Sequence, residues 1–264
     1  MSVHTVMSAR ELRMAARRGV WTGNTAGHCP EALIANVVIL PADVGLDFAA
    51  FCLRNPRSCP LIEILPAGDP EPRLSCPGGD IRTDLARYRV IRRGGDPQVL
   101  SDITELWQPD FVTFVLGCSA TFERAMAEAG VSMRFHQGGG HAPTYITQVP
   151  TFPAGAFRGT MVVSMRPILA AQLPLVFEIS ARYPHAHGVP VHVGDPARLG
   201  IDLARPDYGR PVEITPDEVP VYWACGVTGQ VAAESAGLAL MITHDPGAML
   251  ATDLPREAVR TGIW

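Results

Sequence analysis

The sequence predicts an α/β protein: a three-layer α/β main domain made of residues 1–135 and 206–264, with a smaller α+β (ββαβ) domain inserted at 136–205. Three observations predict it. Residues 111–130 and 219–235 each read as a β-branched and aromatic strand, a tight turn and a helix-forming run. Both turns carry a thiol with a hydroxyl nearby, Cys118-Ser119 in one and Cys225 with Thr228 in the other. Between these units the pattern changes to strand, strand, helix, strand, the order of a compact inserted unit.

Taken in order, Ser8-Ala9-Arg10-Glu11 is a capping box that opens a helix running through Arg18. A Gly-rich turn follows at 21–31, and Pro30, at a first helical position, predicts a second helix over 35–41. Residues 43–55 read as an amphipathic helix with Phe48, Phe51 and Cys52 on one face, residues 61–65 as a strand and 66–79 as a Pro/Gly loop. In the inserted unit the expected elements are strands at 144–149 and 161–167, a helix at 170–183 and a strand at 189–193. The chain then returns through the strand–turn–helix at 219–235 to a last strand at 238–244.

With 264 residues, 47% of them hydrophobic, the chain can bury roughly three quarters of its unfolded surface. No apolar run approaches the ~20 residues of a membrane span and the N-terminus lacks a signal-peptide core, so a soluble, cytoplasmic protein is expected. The six cysteines show neither C-x-x-C nor zinc spacing and are read as free thiols. A net charge of −4 without long Arg runs argues against nucleic acid as a partner. All 22 basic residues are arginine. The missing lysine excludes Schiff-base chemistry, a pyridoxal phosphate linkage and a P-loop, and no cofactor is expected. Any clamp on a carboxylate must therefore be arginine or backbone.

The two cysteine turns are the strongest candidates for chemistry. At a helix N-terminus, free N–H groups and the helix dipole stabilise an anion, whether a substrate carboxylate or a thiolate. Gly117 and Gly226 would lend their N–H groups to such a site, and Cys118, Cys225, Ser119 and Thr228 its side chains. The alternative is that both thiols are small residues buried at crowded turns. His244, at a strand end, is the acid/base candidate because a near-neutral pKa is useful there. Arg166, in an apolar strand, is either a structural ion pair or a substrate clamp. Arg82 with Asp84 offers a second clamp or else a salt-bridged surface loop. His185, His187 and His192 contain an H-x-H pair, but no Cys or Glu completes a ligand set, so no metal is expected.

Read together, these motifs resemble the D-glutamate cyclase family, whose bacterial members carry the name hydro-lyase. The likeness rests on T-A-G-x-x-P and A-N-x-x-I-L-P at 25–41, F-C-x-R-N-P-x-x-C-P-L at 51–61 and D-I-R-T-D-L-x-R-Y-R-V at 80–90. It continues with L-G-C-S at 116–119, V-V-S-M-R-P at 162–167, H-G-x-P-V-H-x-G-D-P at 187–196, W-A-C-G-V-T-x-Q at 223–230 and I-T-H-x-P-G at 242–247. The resemblance implies a two-part α/β architecture and a lyase of amino acid metabolism that converts D-glutamate to 5-oxo-D-proline and water. This chain departs from the family's pattern at Glu31, Ala32 and Ile34, which stand where Gly, an aromatic and Gln are usual. Ile146 and Gln148 stand for Arg and Asn, and His141 for Asn. Two other readings stay open: a cofactor-free racemase or epimerase working with two cysteines, and a non-catalytic carboxylate-binding protein. A small carboxylate or amino acid is the expected partner in each, and a homo-oligomeric assembly stays open.

Overall fold

The computed structural model describes residues 7–134 and 141–256. The expected start of the inserted unit, at residue 136, lies outside them. Helix α1 (Ala9–Arg17) opens as its capping box predicts: Ser8 Oγ accepts from the Glu11 N–H at 3.2 Å, and the Ser8 N–H donates to the Glu11 carboxylate at 2.8 Å.

The centre of the molecule is strand β1 (Ala32–Pro41), and here the structure corrects the sequence reading, which made 35–41 helical. Residues 33–40 are all buried, and a fully buried apolar run has no alternation with which to distinguish strand from helix. The strand's pleat divides the run cleanly. Leu33, Ala35, Val37 and Ile39 join one core with Phe122 and Met126, whereas Val38 and Leu40 join another with Phe48 and Phe51. Those two phenylalanines belong to α2 (Gly45–Arg54), the amphipathic helix that the sequence predicts.

The first sheet is antiparallel throughout. It contains β2 (Leu61–Leu65), β3 (Tyr88–Arg92), β4 (Gln98–Leu100), β5 (Phe111–Gly117), β10 (Leu240–His244) and β11 (Leu250–Pro255), in the order β2-β5-β1-β10-β3-β4 with β11 also on β1. The second holds β6 (Thr144–Pro150), β7 (Thr160–Leu169), β8 (His192–Val193) and β9 (Glu218–Ala224), ordered β6-β7-β9-β8 and likewise antiparallel. Strand β9, expected with the outer residues 206–264, thus pairs inside the second sheet, because Glu218–Ala224 registers against β7 over seven residue pairs. The remaining helices are α3 (Ala120–Glu128), α4 (Leu173–Ala181) and α5 (Val227–Ser235). Helices α3 and α5 follow β5 and β9 directly, one from each sheet. Cys118 and Cys225 therefore lie in equivalent turns on different sheets.

Candidate active site

Three strand ends converge on the middle of β1. Gly117, the last residue of β5, pairs with Ala35, and Thr243, next to the end of β10, pairs with Val38. Cys225 N–H holds the end of β9 to β7, donating to the Val162 carbonyl at 2.9 Å, and Gly226 just beyond it packs against the Asn36 side chain of β1. Two close approaches need glycine. A Cβ on Gly117 would stand 1.6 Å from the His185 carbonyl oxygen, and one on Gly226 would stand 2.2 Å from the Asn36 amide nitrogen. Asn36 in turn donates to the Gly117 carbonyl at 2.7 Å, tying the two turns through one side chain.

Where the ends meet is a cavity of about 70 Å³ whose lining includes Cys118, Ser119, Arg166, Cys225 and His244. Five of the residues singled out from sequence thus share one site. Asn36, Glu123, His141, Thr144, Ser164 and Tyr208 add to its polar lining. Arg166 is fully buried. It donates to Ser164 Oγ at 3.0 Å and to Ser119 Oγ at 2.9 Å, and pairs with the Glu123 carboxylate. Its guanidinium carbon lies 5.4 Å from the Phe122 ring centre and 5.1 Å from that of Trp223, a cation–π arrangement on both. Arg166 is thus ion-paired, one of its two sequence readings, and it also lines the cavity.

Burial pushes the Cys118 thiol up to about 12, while the Ala120 N–H directed at its sulfur works the other way. Cys225 is also raised, by burial first, with the Val227 N–H opposing it. Each sulfur thus sees the helix N-terminus that the sequence predicts, yet at neutral pH both stand as thiols able to donate a proton.

His244 departs from expectation. Burial lowers its pKa to about 4, so it is neutral rather than poised near pH 7. Its Nδ1 lies 3.1 Å from the Val37 N–H and 3.3 Å from the Val37 carbonyl, and the Gln230 amide nitrogen approaches the same atom at 3.2 Å.

The other predicted residues are placed elsewhere or otherwise occupied. Thr228 is buried, accepting from the Val162 N–H at 3.0 Å and donating to the Cys225 carbonyl at 2.7 Å, which makes it a brace beneath the turn. Arg82 forms its fork with Asp80 at 2.8 Å, and Asp84 takes Arg17 at 2.7 Å; neither lines the cavity. The histidines of the 185–192 segment do not line the cavity either: His187 Nδ1 lies 2.7 Å from the Arg57 carbonyl and His192 Nε2 2.8 Å from that of Asp195. Among the described residues no group of three His, Cys, Asp or Glu side chains is arranged to hold a metal, and no helix is long and apolar enough to cross a membrane.

Two site residues were missed although the sequence carried a signal for each. Asn36 is the one polar residue in the apolar run 33–40. Glu123 stands four residues after Ser119, one helical turn on, and so on the same face of α3.

Residues 112–253 match the family model described as D-glutamate cyclase. A protein of Rubrobacter xylanophilus is 50% identical over 246 residues, covering 93% of this chain and 95% of its own. One from Verminephrobacter eiseniae is 48% identical over 251 residues, covering 95% and 92%, and one from Thermoanaerobacter sp. strain X514 is 46% identical over 248, covering 94% of each. All three carry the name "Putative hydro-lyase". Among solved structures, a nitrogen repressor-like protein from Methanococcus jannaschii aligns over 93% of this chain and 99% of its own at 8% identity, with a TM-score of 0.38, too slight a likeness to bear on the fold.

Proposed function

The chain belongs to the D-glutamate cyclase family, and on that premise we propose that it is a cofactor-free hydro-lyase closing an amino acid with a γ-carboxyl group into a five-membered lactam, D-glutamate to 5-oxo-D-proline plus water. The observation that carries the reading is the pair of protonated thiols, Cys118 and Cys225, lining one cavity with Arg166.

Ring closure joins the amine nitrogen to the γ-carbon and breaks a γ-carbon–oxygen bond. The ammonium nitrogen gives up two protons, and the departing oxygen takes both to leave as water. The step thus needs two relays and consumes no outside acid. In this reading each thiol gives its proton to the departing oxygen and is restored by a proton from nitrogen, so that two protons pass and both thiols are regenerated, and the approaching ammonium lowers the thiol pKa by its charge. Helix N-terminal N–H groups at the two turns stabilise the oxyanion, and Arg166, held by Glu123, faces the α-carboxylate. His244 stays neutral and buttresses the floor at Val37 rather than transferring a proton.

Proton NMR in heavy water with D-glutamate, L-glutamate and 5-oxoproline tests this directly. Ring signals from D-glutamate that disappear in Cys118→Ser and Cys225→Ser are expected; an unchanged rate in both variants rejects the thiol assignment. The same thiol pair favours a second reading, an epimerase in which the cysteines flank an α-carbon, and it predicts loss of the α-proton signal without ring closure.

A further inference from the structure

The thiol cavity is small. Clefts that enclose a whole metabolite-sized ligand run to about 300–1,000 Å³, so the roughly 70 Å³ between the thiols accommodates little beyond the reacting atoms. The remainder of any substrate must extend outward, and the structure shows where.

A second cavity of about 360 Å³ adjoins the first, and Ala26, Ala120 and Glu123 line both. Its floor is the same face of β1 that enters the thiol site, because Ala32, Ile34 and Asn36 follow one another at the two-residue repeat of a strand. One wall is α3, whose Ala120, Glu123 and Ala127 fall on one stripe at helical spacing. The other wall is the Gly-rich turn, where Trp21 meets His28 edge to face with centroids 4.5 Å apart. The floor and the turn are largely apolar: Trp21, Cys29, Ala32 and Ile34 share one hydrophobic cluster. Free glutamate has almost no apolar surface with which to cover such a floor.

Resting on the lyase reading of the thiol site, we infer that this groove is a substrate subsite that receives an apolar or aromatic substituent, so that the preferred substrate is a substituted acid rather than free glutamate. The subsite selects by burial: its occupant displaces water from the half-buried Trp21, Ala26 and Ala32 while the acid group stays at the thiols. Glu123 marks the boundary between the two parts, and Arg124 borders the groove where its guanidinium meets Glu128 at 2.8 Å.

The test uses acids without an amine, which cannot cyclise, so that binding is read apart from turnover. Calorimetric titration of the full chain with pentanoate and with 5-phenylpentanoate is expected to show the phenyl compound at least about tenfold tighter. Ala32 is half-buried and Ala127 exposed, so Ala32→Trp and Ala127→Trp can each fill the groove from a different wall. In either variant the advantage of the phenyl compound should fall below about threefold with pentanoate unchanged. Equal affinities in the wild-type protein, or an advantage that survives both substitutions, overturn the subsite. D-glutamate turnover without the phenyl advantage removes the subsite alone, and the advantage without turnover of any glutamate removes the cyclase reading alone.

Discussion

The turns at Cys118 and Cys225 look alike in sequence, and the structure gives them different work. Each follows a strand, opens a helix, needs a neighbouring glycine and points a thiol into the same cavity. The hydroxyls part company. Ser119 reaches into the cavity and takes a hydrogen bond from Arg166, whereas Thr228 turns beneath its own helix to brace Val162 and Cys225. Glu123, one helical turn beyond Ser119, adds a carboxylate that has no counterpart on α5, whose interior holds Gly229, Gln230, Ala232 and Ala233. One turn therefore carries the site's charge and the other its scaffolding. A repeated motif predicts a repeated position for the backbone and not a repeated role for the side chains.

The largest break in that division comes from Arg166. Arg166→Leu removes the buried guanidinium that pairs with the Glu123 carboxylate, and removing one member of a buried pair costs about 3–5 kcal/mol. The loss should appear in urea unfolding. Restoring neutrality with Glu123→Gln in the same chain should recover part of the stability, while leaving turnover of any substrate abolished. If the double variant is no more stable than Arg166→Leu, the pair is not the charge balance described here.

Acid sharpens the comparison next, because a buried neutral histidine backs each turn. His187 belongs to the segment that crowds Gly117, and His244 lies beside Gln230 of α5. Burial lowers both from 6.5 to about 4. Between those values the unfolded chain binds protons that the folded chain does not, so stability is whole above about pH 6.5 and falls as pH drops towards 4. A 1.4 kcal/mol equivalent per pKa unit makes the eventual loss roughly 3 kcal/mol for each histidine. Urea midpoints measured across this range should follow that slope, and a flat profile would show that neither histidine is held neutral.

How much of this was legible in the sequence follows from the kind of signal each residue leaves. Cys118, Cys225 and Ser119 were readable because a thiol at a strand-to-helix turn is a local pattern, and local patterns survive without a structure. Arg166 was readable because a charge inside an apolar strand demands a partner, although the partner, Glu123, lies 43 residues away and could not be named. Arg82 and Asp84 stayed ambiguous because an Arg/Asp loop reads the same whether its forks meet a substrate or other side chains; in the structure they meet Asp80 and Arg17. Strand β1 was misread because burial on both faces erases the alternation that marks a strand. The pairing of β9 with β7 is a long-range choice that no window of sequence contains.

A smaller effect separates the two glycines. At Gly117 the added Cβ meets a backbone carbonyl, which cannot step aside, whereas at Gly226 it meets the end of the Asn36 side chain. Both substitutions to alanine overpack the site, and such changes cost about 1–3 kcal/mol, with Gly117→Ala expected at the upper end. Thermal unfolding of the two variants gives the order, and the reverse order would mean that Asn36 is the more rigid neighbour.

The finest distinction lies between the hydroxyls themselves. Thr228→Val keeps the shape of the side chain but takes the acceptor from the buried Val162 N–H, while the Cys225 carbonyl keeps the Thr228 N–H at 3.0 Å, so it should cost about 1–2 kcal/mol of stability. Ser119→Ala removes a hydrogen bond from Arg166, which still holds Ser164 and Glu123, so its stability cost should be near 1 kcal/mol or less. Turnover should rank them the other way. Ser119 helps fix the orientation of the Arg166 guanidinium in the cavity lining, so its loss should lower kcat more than the loss of Thr228, which does not line the cavity. If stability and turnover instead fall together in both variants, the hydroxyls share one structural role, and the difference between the two turns reduces to Glu123 alone.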